Sequence, residues 1–272
     1  MNLHPDRARA LENATLFIVS LAGLLAFFLP FIISALPVSS GDRSSRANDA
    51  SILLAIVVGG SLIITVGELA RGPAPGNLAR SVALLGALVA LDASLRLIPS
   101  FLGASPIFAL IVLVGYVFGP QFGFAMGALT LLLSAAITAG VGPWLPFQML
   151  CAGWTGVGAG WIPHPGSPRA ELAMATTFGA LAGFAYGALM NLYSWPFVAP
   201  GTASDVGLYW SPMLSFAESV ERYATFYIAT SFVHDASRAA ATALLIVIAG
   251  APVLRILHRY RARAVWSSAA SS

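Results

Sequence analysis

The residues best placed to do chemistry in this chain are a few polar groups set within long apolar runs. Asp92 and Arg96 lie four apart, on one face if their segment is helical, where they can neutralise each other. His234, Asp235 and Arg238 form a second cluster, with Asp235 able to pair with Arg238 at i+3 and His234 on Arg238's side at i+4. Ionisable groups inside a membrane are costly, about 2.5–3.5 kcal/mol each, and mark either function or internal pairing. The pairs read either as staples between helices or as the polar floor of a cavity; two clusters on separate segments favour the shared wet interior. Gln148 adds a donor and an acceptor one turn inside the stretch GVGPWLPFQMLCAGWTGVGAGWIP. Trp144 lies in that stretch, and Asn191, Tyr193 and Trp195 gather further along, with Tyr209 and Trp210 beyond them. Aromatic faces with a few fixed hydrogen-bonding groups are how a pocket holds an organic solute.

What is missing narrows the chemistry. The chain has no Walker A, HExxH or GxSxG sequence, and His4, His164, His234 and His258 are scattered, so neither a metal site nor a bound cofactor is expected. The single cysteine, Cys151, rules out an internal disulfide and every multi-cysteine metal site.

These residues need a scaffold, and the composition names it. Of 272 residues 58% are hydrophobic and 9% charged, against about 25% charged in a soluble domain. All 14 basic residues are Arg, 11 are acidic, and the net charge of +3 gives no case for nucleic-acid binding. The expected fold is an all-α polytopic membrane helix bundle. Apolar runs predict eight spans: Ala14–Leu36, Ala50–Leu69, Ser81–Ile98, Pro106–Phe118, Phe122–Ala139, Pro146–Ile162, Glu171–Tyr193 and Tyr223–Leu254. The first is too long for a cleaved signal core and reads as a retained helix. Within the eighth span, His234 is expected near the bilayer middle, about 11 residues from its outer end.

Arg7, Arg9, Arg71, Arg80, Arg169, Arg255, Arg259, Arg261 and Arg263 then share one side, and Arg43, Arg46 and Arg222 the other, with Arg96 near that second face. The positive-inside rule puts both termini in the cytoplasm of a cell-membrane protein. The longer connections at 99–105, 140–146 and 194–222 fall outside, an arrangement suited to receiving something from outside. Small residues recur every four positions in three ladders: Ala79, Ala83 and Ala87; Gly115, Gly119, Gly123 and Gly127; Gly179, Gly183 and Gly187. Such ladders let helices approach closely, within the bundle or against a partner.

From Arg80 to about Arg263 the sequence resembles the substrate-binding S component of energy-coupling factor (ECF) vitamin transporters. The likeness rests on ARSVALLGALVALDASLRLIP, PIFALIVLVGYVFGPQFGFAMGALTLLLSA and GPWLPFQMLCAGWTGVGAG. It implies a six-helix binding core with outer loops closing over a vitamin. Ala83 and Ala87, with Ala79, match the family's AxxxA interaction motif, and the implied partners are a transmembrane coupling subunit and two cytoplasmic ATPases. The GPW-type sequence is similar to cobalamin-class members. The expected organisation is an N-terminal hairpin over 1–78, a six-helix substrate-binding domain over 79–263 and a tail over 264–272. Asp92, Arg96, Trp144, Gln148, Asn191, Tyr193, Trp195, His234 and Arg238 are the expected solute-binding residues. The competing readings are a proton-coupled secondary transporter using Asp92 or Asp235, and an intramembrane enzyme using His234 and Asp235 as an acid–base pair.

Overall fold

A computed structural model describes residues 5–33, 52–61, 63, 75–98, 102–197, 208–211 and 213–269. The described residues form α-helices joined by short turns, with no strand among them. In chain order these are α1 (Pro5–Ile33), α2 (Ile52–Ser61), α3 (Pro75–Leu95), α4 (Ile107–Phe118), α5 (Pro120–Thr138), α6 (Leu145–Gly160), α7 (Pro168–Ser194), α8 (Phe216–Thr230) and α9 (Phe232–Ala269). Trp195–Phe197 adds one 3₁₀ turn after α7. Among the described residues three helices are long and apolar enough to cross a bilayer: α5, α7 and the 232–262 part of α9. The ends of the first two predicted spans, the charged segment holding Asp42, Arg43, Arg46 and Asp49, and the 198–207 part of the outer loop lie outside the described residues.

The centre of the bundle is α4. At about 1.5 Å per residue its twelve residues cover only some 18 Å, too short for the roughly 30 Å hydrocarbon. It survives because protein surrounds it: ten of its residues are buried, against α3, α5, α6, α7 and α9. The reversal into α5 uses Gly119 at φ 98°, a backbone angle costly for any residue with a side chain, followed by Pro120, whose missing N–H costs nothing at a helix start.

Both glycine ladders pack within the bundle. Side chains at Gly115, Gly123 or Gly127 would run into the α6 backbone at Gly156 and Ala152. One at Gly183 would lie 2.8 Å from the Cα of Ala239 on α9. Around this core a band of exposed apolar residues, among them Phe17, Leu181, Ile248 and Ile256, is 63–67% exposed, as a lipid-facing surface requires.

The N-terminal helix docks through polar hooks as well as packing. Gln121 Nε2 donates to Asn13 Oδ1 at 2.6 Å, Trp154 Nε1 donates to Ser20 Oγ at 3.0 Å, and Phe27 meets Phe147 edge-on at 4.9 Å. Val19 fills the space above Gly60, which joins α1 to α2.

The expected eighth span is two helices. The chain breaks at Ser231, whose φ of −130° is not helical, and α9 begins at Phe232. Hydropathy alone runs the two together, because Phe226, Tyr227 and Ile228 are as apolar as a span. Thr230 Oγ1 donates back to the Phe226 carbonyl at 2.7 Å, a local bond of the kind that competes with helix continuation. The α8 N-terminus is closed by a capping box: Ser215 Oγ accepts from the Glu218 N–H, and Glu218 accepts from the Ser215 N–H at 2.8 Å. Those bonds hold the Glu218 carboxyl below the usual carboxylate range.

Candidate solute-binding site

Where the end of α3 and the start of α4 meet α5, α6, α7 and α9, at the bundle end away from Gly119, the structure forms a cavity of about 380 Å³. Three side chains singled out in the sequence line it: Arg96, Gln148 and Arg238. They arrive from three helix ends. Arg96 follows the last residue of α3, Gln148 sits in the first turn of α6, and Arg238 lies in the second turn of α9.

Arg238 is held from several sides. Its Nη1 donates to Asp235 Oδ1, an ion pair with the Asp235 side chain 3% exposed, and to the Gly183 carbonyl at 3.4 Å. The guanidinium carbon stands 5.1 Å from the Tyr186 ring centre and 5.9 Å from that of Phe108, within cation–π range. Gly187 makes the pair possible, since a side chain there would occupy the space of the Asp235 carboxylate.

The expected Asp92–Arg96 pair does not form. Asp92 is fully buried inside α3, and neither carboxyl oxygen has a hydrogen-bond partner; the Thr130 hydroxyl on α5 faces it without reaching hydrogen-bond geometry. The reason is where α3 stops. Leu95 is its last residue, so Arg96 lies in a turn, out of helical i+4 register, and its side chain goes to the cavity.

The remaining expected residues lie elsewhere. The break at Ser231 puts His234 in the first turn of α9, exposed, rather than near a bilayer midplane. Trp144 is 44% exposed and lies over Gly142. Tyr193 packs on Phe147 with ring centres 4.2 Å apart, and Asn191 has a buried Nδ2 without a hydrogen-bond partner. Trp195 donates through Nε1 to the Leu208 carbonyl at 2.9 Å and meets Tyr223 at 5.2 Å. Trp210 meets Phe31 of α1 edge-on at 5.2 Å. These aromatics therefore brace the outer loop against α1 and α8 instead of walling the cavity. Gly103, Ser105, Ile107, Phe108, Thr138 and Tyr186 complete the lining and are not among the residues expected from the sequence. A signal for Tyr186 was present, a lone phenol between Gly183 and Gly187 on a helix otherwise made of small and apolar residues there.

A second hollow of about 460 Å³ runs between α2, α3, α5 and α6. Its lining, including Leu54, Val82, Leu85, Leu132 and Val141, carries no polar side chain, so chemically it is lipid surface.

Comparison with known proteins decides the family. Residues 80–250 match the family described as ECF transporter, substrate-specific component. The chain belongs to that family. No curated protein and no solved structure matches it. As an ECF substrate-specific component it is a transport-binding subunit and not an enzyme, which removes the His234–Asp235 acid–base reading. The matched stretch contains α3 from Arg80 onward, α4 to α8 and the first half of α9, and so every residue of the cavity.

Proposed function

We propose that the cavity bounded by Arg96, Gln148 and Arg238 captures a vitamin-like solute from outside the cell. A transmembrane coupling subunit and two cytoplasmic ATPases would then carry it inward. The observation that carries this reading is convergence: three polar side chains at the ends of three separate helices meet in one hollow, beside two aromatic rings. At about 380 Å³ the hollow falls in the lower part of the roughly 300–1,000 Å³ range of organic-ligand pockets. That size favours a compact solute over cobalamin, a macrocycle with a nucleotide tail.

The coupling face in this reading is α3. Ala83 and Ala87 are exposed, and around Gly86 nothing lies within 4 Å of where a side chain would begin. Internal packing therefore does not use those positions. The Ala79 side chain is outside the described residues. Residues 79–263 would be the binding unit, in the cell membrane with both termini cytoplasmic, and the 1–78 segment a brace for the outer loop through Phe31.

The test uses the full chain in lipid nanodiscs, titrated with cobalamin, riboflavin, folate, biotin, thiamine and pantothenate while tryptophan fluorescence is followed. Saturable binding of one of them, weakened by Gln148→Ala, is expected. Flat titrations throughout, with no ATP-dependent uptake when the chain is co-expressed with a coupling module, would refute the reading. Uptake driven by a proton gradient through this chain alone would select the secondary-transporter alternative instead.

A further inference from the structure

Building on the solute site proposed above, we infer that its ligand is a compact organic monoanion, a carboxylate seated on Arg96 with its body against Phe108 and Tyr186. The charge balance of the cavity leads there. Two guanidinium groups line it, and no carboxylate does. Arg238 is spoken for: Asp235 cancels its charge, and the Gly183 carbonyl and the Tyr186 face fix its position. Arg96 differs. Among the described residues no ion pair or hydrogen bond holds its guanidinium, and Asp92, the carboxylate nearest in sequence, has neither oxygen engaged.

An arginine cannot shed its proton to escape this position. A partly buried guanidinium without a counter-ion is unfavourable, and a solute carboxylate would supply two parallel N–H···O bonds in a geometry matched to its fork. One unpaired cation calls for one negative charge. A phosphate dianion would need a second free cation, which Arg238, already neutralised, does not provide.

The rest of the lining specifies what else the molecule carries. Thr138 Oγ1 donates its proton to the Ser134 carbonyl at 2.8 Å, so towards the cavity it offers lone pairs and accepts from a solute N–H or O–H. Gln148 and Ser105 can each donate or accept. Phe108 and Tyr186, edge to face at 4.7 Å, give the body an apolar wall. The ligand thus carries an acid group and a hydrogen-bond donor on an apolar or unsaturated body.

Matched pairs that differ only in charge test this directly: biotin with its primary amide, pantothenate with pantothenol, and nicotinate with nicotinamide. Riboflavin, thiamine and cobalamin complete the panel. Binding to the full chain in nanodiscs is measured by calorimetry. One acid should bind about ten- to a hundredfold more tightly than its neutral partner, the range of a charge-assisted hydrogen bond. Arg96→Gln should erase that preference by weakening the acid alone, and Arg96→Lys should keep part of it. Equal affinity within every pair, or a preference that survives Arg96→Gln, overturns the inference. Binding only of riboflavin, thiamine or cobalamin also overturns it while leaving the receptor reading intact. Binding of no compound in the panel overturns the inference, and the receptor reading falls with it only if folate also fails to bind and ATP-dependent uptake is absent. The comparison of acid with amide on the unmodified chain decides the matter even if the Arg96 variants fail to fold.

Discussion

Replacing Arg238 with glutamine should be among the most damaging single changes in the outer half of the bundle, because of the charge it strands. The Asp235 side chain is 3% exposed, with one oxygen on Arg238 and the other without a hydrogen-bond partner. Removing one member of a buried ion pair leaves the other uncompensated, a cost of about 3–5 kcal/mol. Loss of the cation from the Tyr186 and Phe108 faces adds about 0.5–2 kcal/mol. Asp235→Asn is the gentler change. It leaves Arg238 with its side chain 14% exposed and open to the cavity, where water can solvate it, so about 1–3 kcal/mol is expected. The double variant Asp235→Asn/Arg238→Gln strands nothing and should be at least about 2 kcal/mol more stable than the sum of the singles predicts, within the range seen for residues in contact. Reversible unfolding of the four proteins in detergent micelles measures this cycle. Single-variant costs that add to within about 0.5 kcal/mol would show that the pair does not act as a unit, and the account of Arg238 as a neutralised, fixed cation would fail with it.

Gly187→Ala should act on the same pair from the opposite helix. Its methyl group would overlap the Asp235 carboxylate, and the overpacking cost of about 1–3 kcal/mol should exceed the gain of about 1 kcal/mol in helix propensity, lowering the melting temperature. Tryptophan at both Ala83 and Ala87 should abolish ATP-dependent uptake by the assembled transporter while solute binding to the isolated chain is unchanged; lost binding would assign those positions to internal packing. Phe31→Ala should speed hydrogen exchange at 208–210 by freeing Trp195 and Trp210, at less than the roughly 3–5 kcal/mol cost of a fully buried phenylalanine. Ser215→Ala removes the α8 capping box and should speed exchange at the amides of Phe216 to Ser219. Glu218, depressed in the folded chain by the same box, contributes its stabilisation above the pH where it ionises in the unfolded chain. That contribution should fade as pH falls through its lowered native value.

The parts of the fold that were legible in the sequence are those where backbone chemistry leaves one choice. Gly119–Pro120 can only be a reversal, since one residue reaches left-handed angles and the other cannot donate. The glycine ladders could be read as close-packing seams because a missing Cβ has few other uses in lipid. The break at Ser231 was not legible, because Thr and Ser interrupt hydropathy too weakly to register. That one miss moved His234 from an imagined midplane to an exposed first turn. In the site, intramembrane charge found Arg96 and Arg238, since burying a guanidinium demands a reason. Aromatic type alone does not say which rings line the candidate cavity, because a ring serves equally as cavity wall or as scaffold. Trp195 spends its N–H on the Leu208 carbonyl, while Tyr186, marked only as a lone phenol between two glycines, and Phe108, one of many phenylalanines, face the cavity.

The two ends of the bundle are built in opposite ways, and that asymmetry bears on transport. At the end holding Gly119, the chain is tied across helices. Tyr260 Oη donates to the Arg80 carbonyl at 3.2 Å, Arg261 Nη1 donates to the Val117 carbonyl at 2.5 Å, and His258 Nε2 stands 3.4 Å from Glu171 Oε2. At the other end α3 stops and α6 and α9 begin around a hollow, and their terminal turns aim polar side chains into it. A passage straight through the middle would have to part α4 from five neighbouring helices and break the ties beyond it. Moving the bundle as a rigid body would break none of these contacts. In the proposed reading, a coupling partner seated on the exposed small-residue face of α3 would drive that movement.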